Sequence, residues 1–311
     1  MNKHAVEDFL RAQGLPASDP AVCPDSPLRF PDGGQYRFEI PSTEGPKSLA
    51  AVIDEAAKRG VPVHRVSQGS GIMLLTTAEI QEMMALGVRE RMEVNLFLGP
   101  RASWDTGAQA VSAAGKSLAL SARGANQLCH SLLDAKRACD LGCRSVLVSD
   151  LGTLELVANA RVSGLLPANL IIKTSVMMAP ANPASARLQE RLGADTINVP
   201  SDLSLPQIAS IRAAITKPID FYIEAPDNIG GFIRYYEIPE LIRVAAPVYI
   251  KLGLRNSPDV YPSGTHLENT VIALSRERVR RASIAMETIA AYCPNAEMSP
   301  LGSPDLGIPE A

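Results

Sequence analysis

A chain of 311 residues, 46% hydrophobic and 20% charged with a net charge of −3, has the composition of an ordinary globular protein and excludes disordered and fibrous classes. No Lys/Arg-rich run marks a nucleic-acid surface, and no apolar run approaches the roughly 20 residues that span a bilayer. The N-terminal stretch MNKHAVEDFLRAQG carries acids where a secretory signal would be apolar, so a cytoplasmic protein with neither nucleic-acid nor membrane partners is expected.

Residues 1–35 read as an N-terminal arm. A short amphipathic helix over 6–13 leads into an irregular stretch rich in Pro, Asp and Gly, placed to cap one end of a domain or to reach a neighbouring subunit. From residue 36 the chain repeats strand, loop and helix. Strands are predicted over 36–41, 62–68, 92–98, 145–150, 170–175, 196–200, 219–224 and 248–253. Helices are predicted over 47–59, stopped by Gly60, and over 77–86, with Thr77 as N-cap. Further helices follow over 125–141, 154–162, 183–192 opening on Pro183, 205–215 capped by Ser204, 239–245 and 267–292. Residues 294–311 read as a loose tail.

Strand starts recur about every 25–30 residues, the spacing of a βα unit. The interval from Met92 to Ser145 is longer, and its surplus lies between Gly99 and Arg123. That long loop follows the third strand and holds the sole tryptophan, Trp104, with Arg101 and Asp105 beside it; it is expected to cover a site. Eight units with no G-x-G-x-x-G after the first strand favour a single (β/α)8 TIM-type barrel over 36–293, rather than an open doubly wound sheet.

Alternation along the strands then places the chemistry. One face carries apolar residues such as Val94, Leu96, Phe221, Ile223, Ile250 and Leu252. The other gathers Glu39, Asn95, Lys173, Asn198, Asp220, Tyr222, Glu224 and Lys251. In a parallel barrel the C-terminal strand ends converge on a reaction site. A lysine in a low-dielectric site has a depressed pKa and serves as a Schiff-base nucleophile or proton donor, which singles out Lys173 and Lys251. Glu39 and Glu224 are the candidate acid–base pair, and Gln68, Asn95, Arg101, Asn198, Arg255, Asn256 and His266 the candidate substrate-binding residues. Against this stands a purely structural ion-pair network across the barrel, such as Glu93 with Lys251.

Glu39, Asp150 and Glu224 are also candidate ligands for a hard divalent cation. With no HxH or HxxxH pair, a histidine-rich zinc site is not expected. Cys139 and Cys143 have helical metal spacing, but buried packing is the stronger reading for both. Two glycine-rich loops, SQGSG after the second strand and DNIGGF after the seventh, offer backbone N–H groups to an oxyanion or phosphate.

The stretch GADTINVPSDLSLPQIASIRAAITKPIDFYIEAP, residues 193–226, resembles a pattern of the collagenase-like peptidase family, U-32. NPASARL, GGFIRYYE and RVAAPVYIK, at 182–188, 230–237 and 243–251, are similar to motifs of its bacterial members. The resemblance implies a barrel-like catalytic domain and, by the family's name, amide or peptide hydrolysis. Some branches bind an iron–sulfur cluster through cysteines after the seventh strand. Residues 225–232 contain none, so the chain resembles a cluster-free branch. The expectation is an enzyme acting on a small polar anion by lyase- or aldolase-type lysine chemistry, and assembling as a homo-oligomer. The alternatives are metal-assisted amide hydrolysis and a non-enzymatic partner subunit.

Overall fold

The computed structural model describes residues 3–102, 112 and 120–310. Most of the predicted covering loop, including Trp104 and Asp105, lies outside the described residues. Among these, strands and helices alternate as β1 (Tyr36–Pro41), α2 (Pro46–Arg59), β2 (Arg65–Ser67), α3 (Thr77–Glu90), β3 (Glu93–Phe97), α4 (Gly124–Asp140), β4 (Ser145–Val148) and α5 (Leu151–Val162). They continue as β5 (Ile171–Thr174), α6 (Pro183–Arg191), β6 (Ile197–Asn198), α7 (Leu205–Arg212), β7 (Ile219–Glu224), α8 (Ile238–Ala245), β8 (Val248–Leu252) and α9 (Glu268–Tyr292). A leading helix α1 (Lys3–Ala12) buries none of its residues.

Local chemistry sets most boundaries. Gly60 takes a left-handed φ of 64° after α2, where an L side chain would be strained. Ser204 caps α7 through the Gln207 N–H. The cap of α3 is Thr76 rather than Thr77: Thr76 and Glu79 form a reciprocal capping box, which the T-T repeat obscures. Helix α5 starts three residues before its predicted start, because Asp150 accepts the Thr153 N–H at 3.0 Å and acts as N-cap.

All strand pairs are parallel, in the order β5-β4-β3-β2-β1-β8-β7-β6. A single bridge between Lys173 and Thr196 joins the two outer strands and closes the (β/α)8 barrel. The outward strand residues, among them Phe38, Ile40, Val66, Val94, Val146, Ile172, Phe221 and Ile250, are buried under the helices. Each such side chain stabilises the fold by roughly 1.5–3 kcal/mol. No helix among the described residues is long and apolar enough to cross a membrane.

The barrel's N-terminal end is sealed by both chain termini. Phe30, from the arm, lies 3.8 Å under the Arg37 guanidinium and meets the Tyr249 ring edge-on at 5.4 Å. Arg37, fully buried, pairs with Asp32 at 2.8 Å and Asp305 at 2.7 Å. The segment expected to be a loose tail is therefore packed. Met298 bridges Tyr36, Ser299 accepts from His64 Nε2 at 2.8 Å, and the Gly307 N–H reaches Glu93 at 3.3 Å. Its high Pro, Gly and Ser content reflects a chain that turns repeatedly across a concave surface, not disorder.

Candidate active site at the C-terminal mouth of the barrel

The inward alternation of the strands produces an unusual barrel core. Where such interiors are mostly filled by branched apolar side chains, this one holds Arg65, Lys173 and Lys251 against Glu39, Glu93 and Asp220. Arg65 grips Glu93 with Nε at 2.7 Å and Nη2 at 3.3 Å, reaches Asp220 at 3.2 Å and Glu39 at 3.3 Å through Nη1, and stacks 3.7 Å from the Tyr249 ring. An ion-pair network therefore does cross the barrel, but Glu93 pairs with Arg65 and not with Lys251.

Glu39 is the hub. One oxygen, Oε1, accepts from Lys173 Nζ and from Ser67 Oγ at 2.8 Å, and lies 3.5 Å from Lys251 Nζ. Burial pushes its carboxyl up, but Lys173, Lys251 and Arg65 outweigh that and hold it well below the usual carboxylate range. Glu39 thus stays ionised. It anchors the lysines and is poorly suited to the proton transfer expected of it.

Lys173 also contacts Ser67 Oγ at 3.2 Å and Asp220 at 3.3 Å. Its burial drives the amine down to about 8 against the opposing pull of Asp220 and Glu39, and the neighbouring Lys251 charge adds to the depression. Lys251 sits 4.1 Å over the Tyr222 ring. With its amide oriented to satisfy both atoms, Asn198 accepts from Lys251 Nζ at 2.7 Å and from the Val176 N–H at 3.3 Å, while donating to the Asp220 carbonyl at 3.2 Å.

Above this network opens a cavity of about 370 Å³. Lys173, Lys251, Ser67 and Asn198 supply its strand-borne floor; Gln68, Arg101, Tyr261 and Arg278 stand around it. Asp259 is the only carboxylate among its described lining residues, against the four cationic side chains Lys173, Lys251, Arg101 and Arg278. The Gln68 amide is closed on Gly71, accepting its N–H at 3.0 Å and donating to its carbonyl at 3.1 Å. Arg101 stacks 3.7 Å from Phe97 and donates to the Gly69 carbonyl at 3.0 Å.

Several expected site residues lie elsewhere. Glu224 is turned away by an irregularity in β7: between Tyr222 and Glu224 the register shifts, so Glu224 aligns with outward-facing Leu252. There it accepts from Tyr235 Oη at 2.9 Å and the Arg255 N–H at 3.0 Å. Asn95 is locked beneath the cavity by Ser145 at 2.7 Å. Arg255, Asn256 and His266 are exposed and do not line the cavity. Asp150 is a helix cap. The metal trio Glu39, Asp150 and Glu224 is therefore not assembled, and no cluster of three or more His, Cys, Asp or Glu among the described residues is placed to hold an ion. Cys139 and Cys143 are buried, and burial raises both thiols, to about 11 and about 12, as packing residues require.

Neither glycine-rich loop is open to a phosphate. Glu44 already occupies the SQGSG loop, its carboxylate accepting the Gly69 and Ser70 N–H groups at 2.8 Å each. In DNIGGF the Ile229, Gly230 and Gly231 N–H groups close on the carbonyls of Pro226 and Asp227. Two lining residues, Arg278 and Tyr261, stand outside the strand-end pattern. Arg278 had a signal: it shares the buried stripe of α9 with Val271, Ser275, Ala282, Ala285 and Ile289, where an arginine is out of place. Tyr261 stands in an irregular loop, where no periodicity indicates direction.

Fold and mouth together define a parallel α/β barrel with a charged interior and a basic, lysine-floored cavity. No family model matches the chain, and no curated protein matches it in sequence. Among solved structures it is similar to a U32 peptidase at 17% identity and a TM-score of 0.44, covering 74% of this chain and 97% of that one. It is also similar to a truncated 3-deoxy-D-arabino-heptulosonate 7-phosphate synthase from Thermotoga maritima, at 14% identity and a TM-score of 0.47, covering 89% and 95% of the two chains. Orotidine 5'-monophosphate decarboxylase from Methanocaldococcus jannaschii is matched at 10% identity and a TM-score of 0.46, covering 85% and 99%. Likeness at this level says nothing about substrate or reaction.

Proposed function

We propose that this barrel is an enzyme acting on a small anionic carbonyl compound by lysine chemistry of the lyase or aldolase kind. The observation that carries this reading is that Lys173 and Lys251 converge on one oxygen of Glu39 at the floor of the cavity. Burial first, and a second cation in addition, make an ammonium lose its proton more readily, which converts a structural lysine into a nucleophile near neutral pH.

In this scheme the neutral Lys173 amine forms a C–N bond to the substrate carbonyl carbon. The carbonyl oxygen leaves as water, taking one proton from the attacking amine and one from the Lys251 ammonium; the nitrogen keeps its second proton as an iminium, which draws electrons from the adjacent bond. Lys251, fixed by Asn198 and Tyr222, presents positive charge to the oxygen that becomes negative during attack. Glu39 remains ionised and keeps both lysines aimed. The reading accommodates a remote relation to the U-32 family through the barrel and its motifs, and carries over none of that family's catalytic residues. A homo-oligomer remains the proposed assembly.

Borohydride reduction of the protein with glyoxylate or pyruvate, followed by intact mass and peptide mapping, tests it. A reduced adduct on Lys173 is expected, forming faster as pH rises through about 8 and abolished by Lys173→Ala. No adduct with either probe, or an unchanged adduct in both Lys173→Ala and Lys251→Ala, would reject the lysine mechanism and favour a non-enzymatic barrel.

A further inference from the structure

Helix α9 sends Arg278 into the wall of the cavity, where it is 4% exposed. A buried guanidinium normally faces a carboxylate, since an isolated charge in low dielectric is costly. Among the described residues no carboxylate lies within ion-pair distance of Arg278. Its one hydrogen bond is a long one, from Nη1 to the Ser42 carbonyl at 3.4 Å, and Nε is buried with no partner. Burial lowers its pKa, while Glu44 and Glu224, beyond ion-pair distance, pull the other way. The three cations inside the strand ring differ sharply: Lys173, Lys251 and Arg65 all share Glu39.

We infer that Arg278 is the receptor for the anionic group of the substrate and that this group is a carboxylate. The inference deepens the lysine-enzyme reading and rests on it for the identity of the site. A guanidinium edge matches the two oxygens of a carboxylate. A phosphate presents a third oxygen, and the loop N–H groups best placed to meet it are already bonded. The N–H groups of the SQGSG loop are taken by Glu44, and those after β7 are turned on their own loop. The neighbouring Tyr261 and Ser42 hydroxyls are bonded to each other. The substrate class is therefore a small oxo acid, its carbonyl at the lysines and its carboxylate at Arg278. The exposed Arg255 and Asn256 do not perform this task.

The test separates anion binding from imine chemistry. Propanoate, which has no carbonyl to react, is titrated into the protein by calorimetry, with propanamide and inorganic phosphate as comparisons. Saturable binding of propanoate and not of propanamide is expected in the unsubstituted protein and in Lys173→Ala. Arg278→Met should weaken propanoate at least ~10-fold, with Arg278→Lys intermediate, while propanal, a neutral aldehyde, is still trapped on Lys173 by borohydride. Arg278→Met should also melt no lower than the unsubstituted protein, because it removes an unpaired buried charge. An Arg278→Met protein that fails to fold or melts well below would make Arg278 structural and overturn the inference. So would propanoate binding unchanged by the substitution, tighter binding of phosphate than of propanoate, or no saturable propanoate binding. Failure of propanal trapping alone would strike the lysine mechanism and leave the anion receptor standing.

Discussion

His64 shows how one side chain couples the barrel to the segment that seals it. Its Nδ1 accepts the Phe38 N–H at 3.1 Å and its Nε2 faces the Ser299 carbonyl at 2.8 Å, which fixes the neutral Nε2–H tautomer. Burial pushes its pKa down to about 4. In the unfolded chain the same group titrates near ~6.5. Between these values the unfolded state binds more protons, so stability is full above the upper value and falls as pH drops through the window. The loss amounts to about 3 kcal/mol for the shift in full. Urea unfolding at pH 7 and pH 4.5 should show that fall, and His64→Gln should flatten it. An equally steep pH dependence in His64→Gln would assign the effect to other groups.

At the scale of elements, two short segments redirect the chemistry. The register shift in β7 removes Glu224 from the interior and gives it to Tyr235 and the loop after β8. A strand read by strict alternation contains no warning of this, since a bulge is a property of two paired strands. The C-terminal segment 297–310 is the second case. It supplies Asp305 to Arg37, the Ser299 carbonyl to His64 and an N–H to Glu93, all at the closed end of the barrel. Deleting residues 297–311 leaves these buried groups short of partners and should cost about 3–5 kcal/mol. A drop in the urea midpoint of corresponding size checks this, and an unchanged midpoint would mean that the seal contributes nothing.

Taken as one molecule, the barrel is unevenly closed. Strands β1 and β8 pair over four positions from Tyr36 to Glu39, whereas β5 and β6 meet at one bridge, and β6 spans two residues. Local opening follows the density of such pairing. Hydrogen exchange should therefore be faster at Thr174 and Ile197 than along β1 and β8, by roughly 10-fold or more. Uniform protection around the ring would show that the ionic interior, which crosses the seam through Lys173 and Asp220, closes it as firmly as the backbone does.

The alternating barrel, its eight strands and the inward set Glu39, Asn95, Lys173, Asn198 and Lys251 follow from the sequence alone, because side-chain parity and βα spacing are properties of each segment by itself. What that parity could not rank was the use of each inward group. Lys173 becomes a candidate nucleophile, Asn95 a buried strut and Glu39 an ionic hub only through partners contributed by other strands, 134 residues away in the Lys173–Glu39 contact and further still in the Lys251–Glu39 contact. The same limit explains the glycine-rich loops: SQGSG does offer N–H groups, but Glu44, 25 residues before Gly69, takes them. Proximity along the chain puts Arg255, Asn256 and His266 near the strand ends, and the loop after β8 turns them to solvent. Arg278 reaches the cavity because α9 packs back across β1 and β8. Local pattern determined which faces are polar; only the tertiary structure, by deciding which charges find opposite charges in a low-dielectric interior, left Arg278 beside the lysines with no carboxylate of the described residues within ion-pair distance.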